Sequence, residues 1–160
     1  MGAHKVLLDS DLNYDFDLIA IHCSLEPYRV AYMLNMHLTM KLARKKEDIA
    51  VFTPLQKEIL PSYEYITADG SQLFTLVCNK AQIQVEKTQV GLFSGQFSER
   101  ATVRLLPELG KVDYLLKVED EGYAFAKANC IAALNAIPQI ITAYELNPEG
   151  LRQKENLIFE

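Results

Sequence analysis

Apolar residues along this chain recur with two different periods, and the change of period marks the elements. From Phe16 to Cys23 both alternating faces are apolar, with Phe16, Leu18 and Ala20 on one and Ile19, Ile21 and Cys23 on the other. That pattern predicts a strand in the middle of a sheet with both faces covered. A helix is predicted next, over Leu25 to Arg44. Ser24 can cap it, and Glu26 and Pro27 suit a first turn, where an acid meets the positive dipole end and a missing N–H costs nothing. Ala31, Leu34, Leu38 and Leu42 recur at helical spacing as a core stripe, while Met33, Met36 and Met40 form a second stripe on a different side. A helix with two apolar stripes is either wedged between layers or exposed at a subunit contact.

The period then returns to two. Lys5 to Asp9 and Ile49 to Thr53 read as short strands. Tyr63 to Ala68 and Leu73 to Cys78 flank Asp69-Gly70, which predicts a hairpin with a type I′ turn, because Asp-Gly tolerates the positive φ angles that turn demands. Gln82 to Thr88 is a further strand, Gly91 to Glu99 a loop, and Ala101 to Leu106 and Val112 to Glu119 two more strands. A second helix is predicted to start near Asp120 or Glu121 and to end before Pro138, with Tyr123, Ala126, Cys130, Ala133 and Ile137 along one face. Gln139 to Leu146 then returns as a strand, and the closing Asn156 to Glu160 is too apolar to float freely without cost. Runs of strands, two long helices and no repeated βαβ rhythm predict an α+β fold. The expected architecture is a mainly antiparallel sheet of about six to eight strands with the two helices packed on one face. With 160 residues and no linker, the chain reads as a single domain spanning 1–160.

Charge and cysteine usage narrow the partners. A net charge of −5 disfavours nucleic acid, which needs a basic face to displace counterions from phosphates. The densest basic run, Lys41, Arg44, Lys45 and Lys46, is followed at once by Glu47 and Asp48 and reads as a solvated helix end. Cys23, Cys78 and Cys130 lie far apart in apolar segments, as buried reduced thiols of a cytoplasmic protein would. No CxxC, HExxH or Cys/His cluster points to a metal. The longest uncharged stretch, Ala128 to Tyr144, is interrupted by Asn129, Asn135, Pro138 and Gln139 and falls short of the roughly 20 residues of a membrane span. Gly91 to Gly95 lacks the P-loop lysine and the dinucleotide spacing, and no GxSxG occurs, so no cofactor is expected.

His22 and Cys23 are adjacent, but neighbours on a strand point to opposite faces and do not form a dyad. The densest chemistry lies in nine residues, Leu106-Pro107-Glu108-Leu109-Gly110-Lys111-Val112-Asp113-Tyr114. They read as strand, turn and strand, with Pro107 setting φ and Gly110 supplying an angle other residues resist. On the second strand Val112, Tyr114, Leu116 and Val118 share one face, and Asp113, Leu115 and Lys117 the other. Glu108 and Asp113 then either accept backbone N–H bonds that lock the turn or, with Tyr114, form a ligand- or partner-binding group. The run resembles the signature of the IPExxxVDY family, a bacterial group mainly from Bacteroidetes. The resemblance extends to Phe16-Asp17-Leu18-Ile19 through His22, Tyr28 to Asn35, Asn79-Lys80, Ala136 to Glu145 and Asn156 to Phe159. It departs at Leu106, where the family name has Ile, and at Pro27. It implies no reaction, substrate or cofactor.

Missing catalytic motifs and surplus apolar stripes lead to the expectation of a cytoplasmic protein-binding or adaptor module that self-associates, with Met33, Met36 and Met40 as its contact surface. The rival is a small-ligand protein or enzyme using Glu108, Asp113 and Tyr114, which requires those side chains to converge on a pocket. RNA binding through Tyr28, Arg29 and Tyr32 runs against the overall charge.

Overall fold

A computed structural model of the chain describes residues 15–52, 57–89, 91–92, 95–122 and 124–158. The strand predicted over Lys5 to Asp9, together with Thr53 and Tyr123, lies outside them. Among the described residues ten strands are present in chain order: β1 (Asp17–His22), β2 (Ala43–Arg44), β3 (Ile49–Phe52), β4 (Lys57–Leu60), β5 (Ser62–Ile66), β6 (Gln72–Cys78), β7 (Lys80–Gln89), β8 (Gly95–Arg104), β9 (Tyr114–Asp120) and β10 (Thr142–Leu146). Two helices, α1 (Pro27–Leu38) and α2 (Lys127–Asn135), complete an α+β fold. The central sheet has the order β10-β1-β9-β6-β5-β2 and pairs antiparallel throughout, while β3-β4 and β7-β8 are separate two-stranded sheets.

β1 lies between β10 and β9, and its doubly apolar pattern serves two cores. Ile19 and Ile21 face the helices, packing with Leu34 of α1, Leu134 of α2, Leu116 and Ile137. Leu18 and Ala20 face the other way, with Val77 and Leu115. Among the described residues neither α1 nor α2 packs on that second face; Leu60, Leu105, Leu106, Val112 and Leu157 cover it. Leu157 ends a short 3-10 helix, Lys154–Leu157, so this part of the apolar tail is buried as its composition implied.

Both helices are shorter than their apolar periodicity predicts. α1 starts from Glu26, which makes no side-chain cap bond, so Ser24 is not its cap; Pro27 fills the first helical position. It ends at Leu38 because Thr39 turns to φ 56°. The Asn35 amide then accepts the Leu42 N–H (2.7 Å) and donates to the Leu42 carbonyl (3.0 Å), holding the departing chain against the helix. Leu42 and Met40 are buried, but past the helix end. α2 begins well after Asp120, whose carboxylate instead takes the Gly122 N–H (3.0 Å) and the Phe125 N–H (2.5 Å) in a turn. Asn135 repeats the device of Asn35, accepting the Ala143 N–H (2.8 Å) and donating to the Ala143 carbonyl (2.9 Å). Among the described residues β10 is an edge strand, and this amide occupies backbone groups that would otherwise be open to another strand.

The Asp69-Gly70 hairpin forms with Ser62 opposite Val77 and Ile66 opposite Leu73. Its connection is longer than the predicted two-residue type I′ turn: only Gly70 has a positive φ (75°), and its N–H bonds the Thr67 carbonyl at 2.8 Å. Asp69 accepts the Thr67 hydroxyl (2.7 Å), the Ser71 N–H (3.1 Å) and the Ser71 hydroxyl (2.9 Å). These bonds, the Thr67 hydroxyl foremost, lower its carboxyl from the ordinary 3.8 to about 2. A depressed folded-state pKa stabilises the fold above the unfolded value, and the contribution disappears as pH falls from 3.8 through about 2. An NMR titration of the Asp69 carboxyl is expected to give a midpoint near 2, and Asp69→Asn to abolish this part of the acid dependence.

The loop predicted over Gly91 to Glu99 is corrected from Gly95 onward, where β8 begins. β7 and β8 pair over ten positions, from Lys80 opposite Arg104 to Gln89 opposite Gly95. In the first half of β8, Gly95 to Glu99, Phe97 is the one apolar residue, too few to mark a strand by alternation, and this half pairs only within the two-stranded ribbon.

Candidate functional site

The signature segment is organised by a residue outside it. Asn79 sits between β6 and β7 and is wholly buried. Its amide donates to the Leu109 carbonyl (3.0 Å) and the Val112 carbonyl (3.0 Å), and its side-chain oxygen accepts the Leu106 N–H (2.9 Å). Its backbone N–H donates to the Asp113 carbonyl (2.9 Å), and its carbonyl accepts the Leu105 N–H (2.7 Å). Side chain and backbone together fix both ends of the segment. Between them lies a 3-10 turn, Pro107–Leu109, rather than a simple tight turn. Gly110 has φ −59° in the right-handed region, so its expected special angle is not used, and a Cβ there would meet only ordinary contacts, the nearest at 3.5 Å. Val112 precedes β9 and packs with Leu115 on the second face, not with Tyr114 and Leu116 as strict alternation predicts.

The three acidic and phenolic candidates go to three different places. Glu108 accepts the Arg152 N–H (2.7 Å) and the Gln153 N–H (3.1 Å) and so holds the C-terminal segment. Asp113 accepts the Cys23 N–H (2.8 Å) through one oxygen and pairs with the Lys80 ammonium through the other. The buried Tyr114 hydroxyl donates to the Leu25 carbonyl, and burial pushes its pKa well above the usual phenol value. Asp113 and Tyr114 line a cleft of about 740 Å³; Glu108 is not part of its lining. The convergence that the small-ligand reading requires is met by two of the three: Asp113 and Tyr114 share a cleft, and Glu108 is a tether. None simply closes its own turn, since each bonds to a remote stretch of chain.

The methionine stripe also divides. Met33 is half-buried, Met36 is 56% exposed and Met40 is buried in the core beyond the helix end. The large hydrophobic side chains α1 exposes are Tyr28, Tyr32 and Met36, at four-residue spacing and 63%, 65% and 56% exposed, with Arg29 and His37 exposed beside them. Beside them runs a groove of about 470 Å³ lined by Leu25, Tyr28, Arg29, Tyr32, Met33 and Gln139. The i, i+4, i+8 spacing of this stripe is present in the sequence, but its members are of two residue types, Tyr and Met.

His22 and Cys23 part as strand geometry requires. The His22 Nε2 lies 3.0 Å from the Tyr144 hydroxyl, and the Cys23 thiol donates to the Gln139 carbonyl at 3.3 Å. Burial pushes the Cys78 thiol up and the Cys130 thiol to about 11, away from thiolate chemistry at neutral pH. Among the described residues no group of three or more His, Cys, Asp or Glu is placed to hold a metal, and no helix is long and apolar enough to cross a membrane. No protein-family model, curated protein or solved structure matches this chain.

Proposed function

We propose that the protein is a cytoplasmic binding module that self-associates through the exposed face of α1, and that it belongs with the IPExxxVDY proteins its signature resembles. The observation that carries this reading is the stripe Tyr28, Tyr32, Met36, three large side chains more than half exposed on one helix face. Large exposed apolar side chains grouped on one surface mark interaction sites. Aromatic residues and Met are enriched where such interfaces are buried.

A second copy of the chain suits this face because its three side chains are evenly spaced about Tyr32. Two α1 helices crossing antiparallel about a two-fold axis at Tyr32 set Tyr28 of each against Met36 of the other. Tyr32 then meets its own copy. An isologous contact requires a patch that complements itself in this way, and Met against an aromatic ring is a favourable pair. The three buried thiols support the cytoplasmic assignment.

Tyr32→Glu tests the reading, since it places two like charges at the axis. Sedimentation equilibrium is expected to give a dimer for the wild type and a folded monomer for the variant, with association weakened at least ~100-fold. A wild-type chain that stays at its monomer mass of 18.1 kDa at all concentrations would contradict it. Met40→Glu is unsuited to this test, because it would bury a charge in the core.

A second reading, small-ligand binding, is favoured by one observation: Asp113 and Tyr114 of the signature both border the large cleft.

A further inference from the structure

The cleft lies between the Ser24–Pro27 segment that leads into α1 and the base of the β7-β8 ribbon. Its volume of about 740 Å³ falls in the range of small-molecule sites. The ribbon supplies one wall by register. Lys80 lies opposite Arg104 and Gln82 opposite Thr102, and all four line the cleft. Residues two apart on a strand share a face, so these cross-strand pairs form a block of four donor-bearing side chains.

The charges of this block decide what it can take. The Lys80 ammonium is paired with Asp113, whose second oxygen holds the Cys23 N–H, so this ion pair is internally balanced. The other acid of the lining, Glu26, accepts the Tyr28 hydroxyl, a bond that raises the phenol's pKa and leaves the carboxylate charged, so Lys80, Arg104, Asp113 and Glu26 together leave the lining neutral. Arg104 spends Nε on the Gly110 carbonyl at 3.1 Å and forms no ion pair among the described residues. Arg104 is therefore the cation of the lining that keeps no ion-pair partner among the described residues, and its guanidinium carries a planar fork of donors. That fork matches the two oxygens of a carboxylate, with Thr102 and Gln82 beside it as further donors. Leu25, Pro27, Pro61 and Ala81 give the rest of the lining an apolar character.

We propose that this cleft binds a small organic monocarboxylate with an apolar body, its carboxylate on Arg104 and Thr102 and its hydrocarbon part against Pro27, Pro61 and Ala81. The site is independent of the α1 face and of any self-association there.

Benzoate serves as the probe, with benzamide as its neutral counterpart of the same shape and inorganic phosphate as the competing oxyanion. Amide NMR titration is expected to show saturable shifts at Cys23 to Glu26 and at Gln82, Thr102 and Arg104 with benzoate. Benzamide and phosphate should each bind at least tenfold more weakly. Arg104→Gln, with its fold confirmed by circular dichroism, should lose benzoate affinity at least tenfold, and Thr102→Val several-fold. Absence of saturable shifts in this cleft, equal binding of benzamide, tighter binding of phosphate, or unchanged affinity in both variants would each overturn the proposal. Failure of Arg104→Gln to fold leaves the decision to Thr102→Val and to the benzoate–benzamide comparison.

Discussion

Replacing Asn79 with alanine is expected to cost about 4 kcal/mol of unfolding free energy. The truncation leaves the Leu109 and Val112 carbonyls and the Leu106 N–H without their side-chain partners. Each buried polar group so orphaned costs roughly 1–3 kcal/mol, and water entering the vacated volume recovers part of the sum. A loss of this size is a large fraction of the roughly 5–15 kcal/mol that holds a typical domain together. Asn79→Asp separates hydrogen bonding from shape. A carboxylate keeps the size but loses the NH₂ donors, so it faces two carbonyls that have nothing to accept. It is expected to be at least as destabilising as alanine at neutral pH. Urea unfolding reads both variants; a loss under about 1 kcal/mol for either would remove Asn79 as the organiser of the signature.

Leu106→Ala is expected to cost about 3 kcal/mol. Leu106 is fully buried on the sheet face opposite α1 and α2, among Leu18, Leu60, Leu115 and Leu157. Its surroundings belong to four separated stretches of chain, so collapse onto the cavity requires several of them to move together. Leu106→Ile keeps the volume and should cost less than about 1.5 kcal/mol. The Leu106 N–H is held by Asn79, so the two alanine substitutions act on one loop. Their combined cost in the double variant should fall short of the sum of the two. Strict additivity would show that core packing and the Asn79 bonds act independently, against the view that this loop is one unit.

The parts of the fold that were legible in sequence are those in which local pattern and tertiary environment agree. β1 is apolar on both faces because a core lies on each side of it. The β5-β6 hairpin was marked by Asp69-Gly70, although Thr67 and Ser71 enlarge its loop through bonds to Asp69. Helix ends were not legible. Asn35 and Asn135 bond backbone seven and eight residues further on, and nothing in the local composition of either helix announces that. Asp120 has the appearance of a helix start but serves a turn. The first half of β8 read as a loop because Gly95 to Glu99 holds one apolar residue, Phe97, between glycine and polar positions, and its ribbon lies outside the central sheet.

The candidate site shows the same division. The signature stood out as a run of residues, but its acids act over distance: Glu108 on Arg152 and Gln153, and Asp113 on Cys23 and Lys80. Residue type alone gave no access to those partners. It also gave no access to Asn79 as their common support, although Asn79-Lys80 was among the segments of the family resemblance. The methionines misdirected the choice of surface because Met40 lies past the end of α1, which Thr39 sets.

The two-fold pairing of α1 is tested most directly by Tyr32→Cys. A residue on the axis of an isologous dimer faces its own copy, and the native cysteines 23, 78 and 130 are all buried. Under mild oxidation the account predicts that this variant converts to a disulfide-linked dimer, while Lys111→Cys, on the exposed signature turn, stays largely monomeric. Cross-linking no faster at position 32 than at position 111 would contradict it.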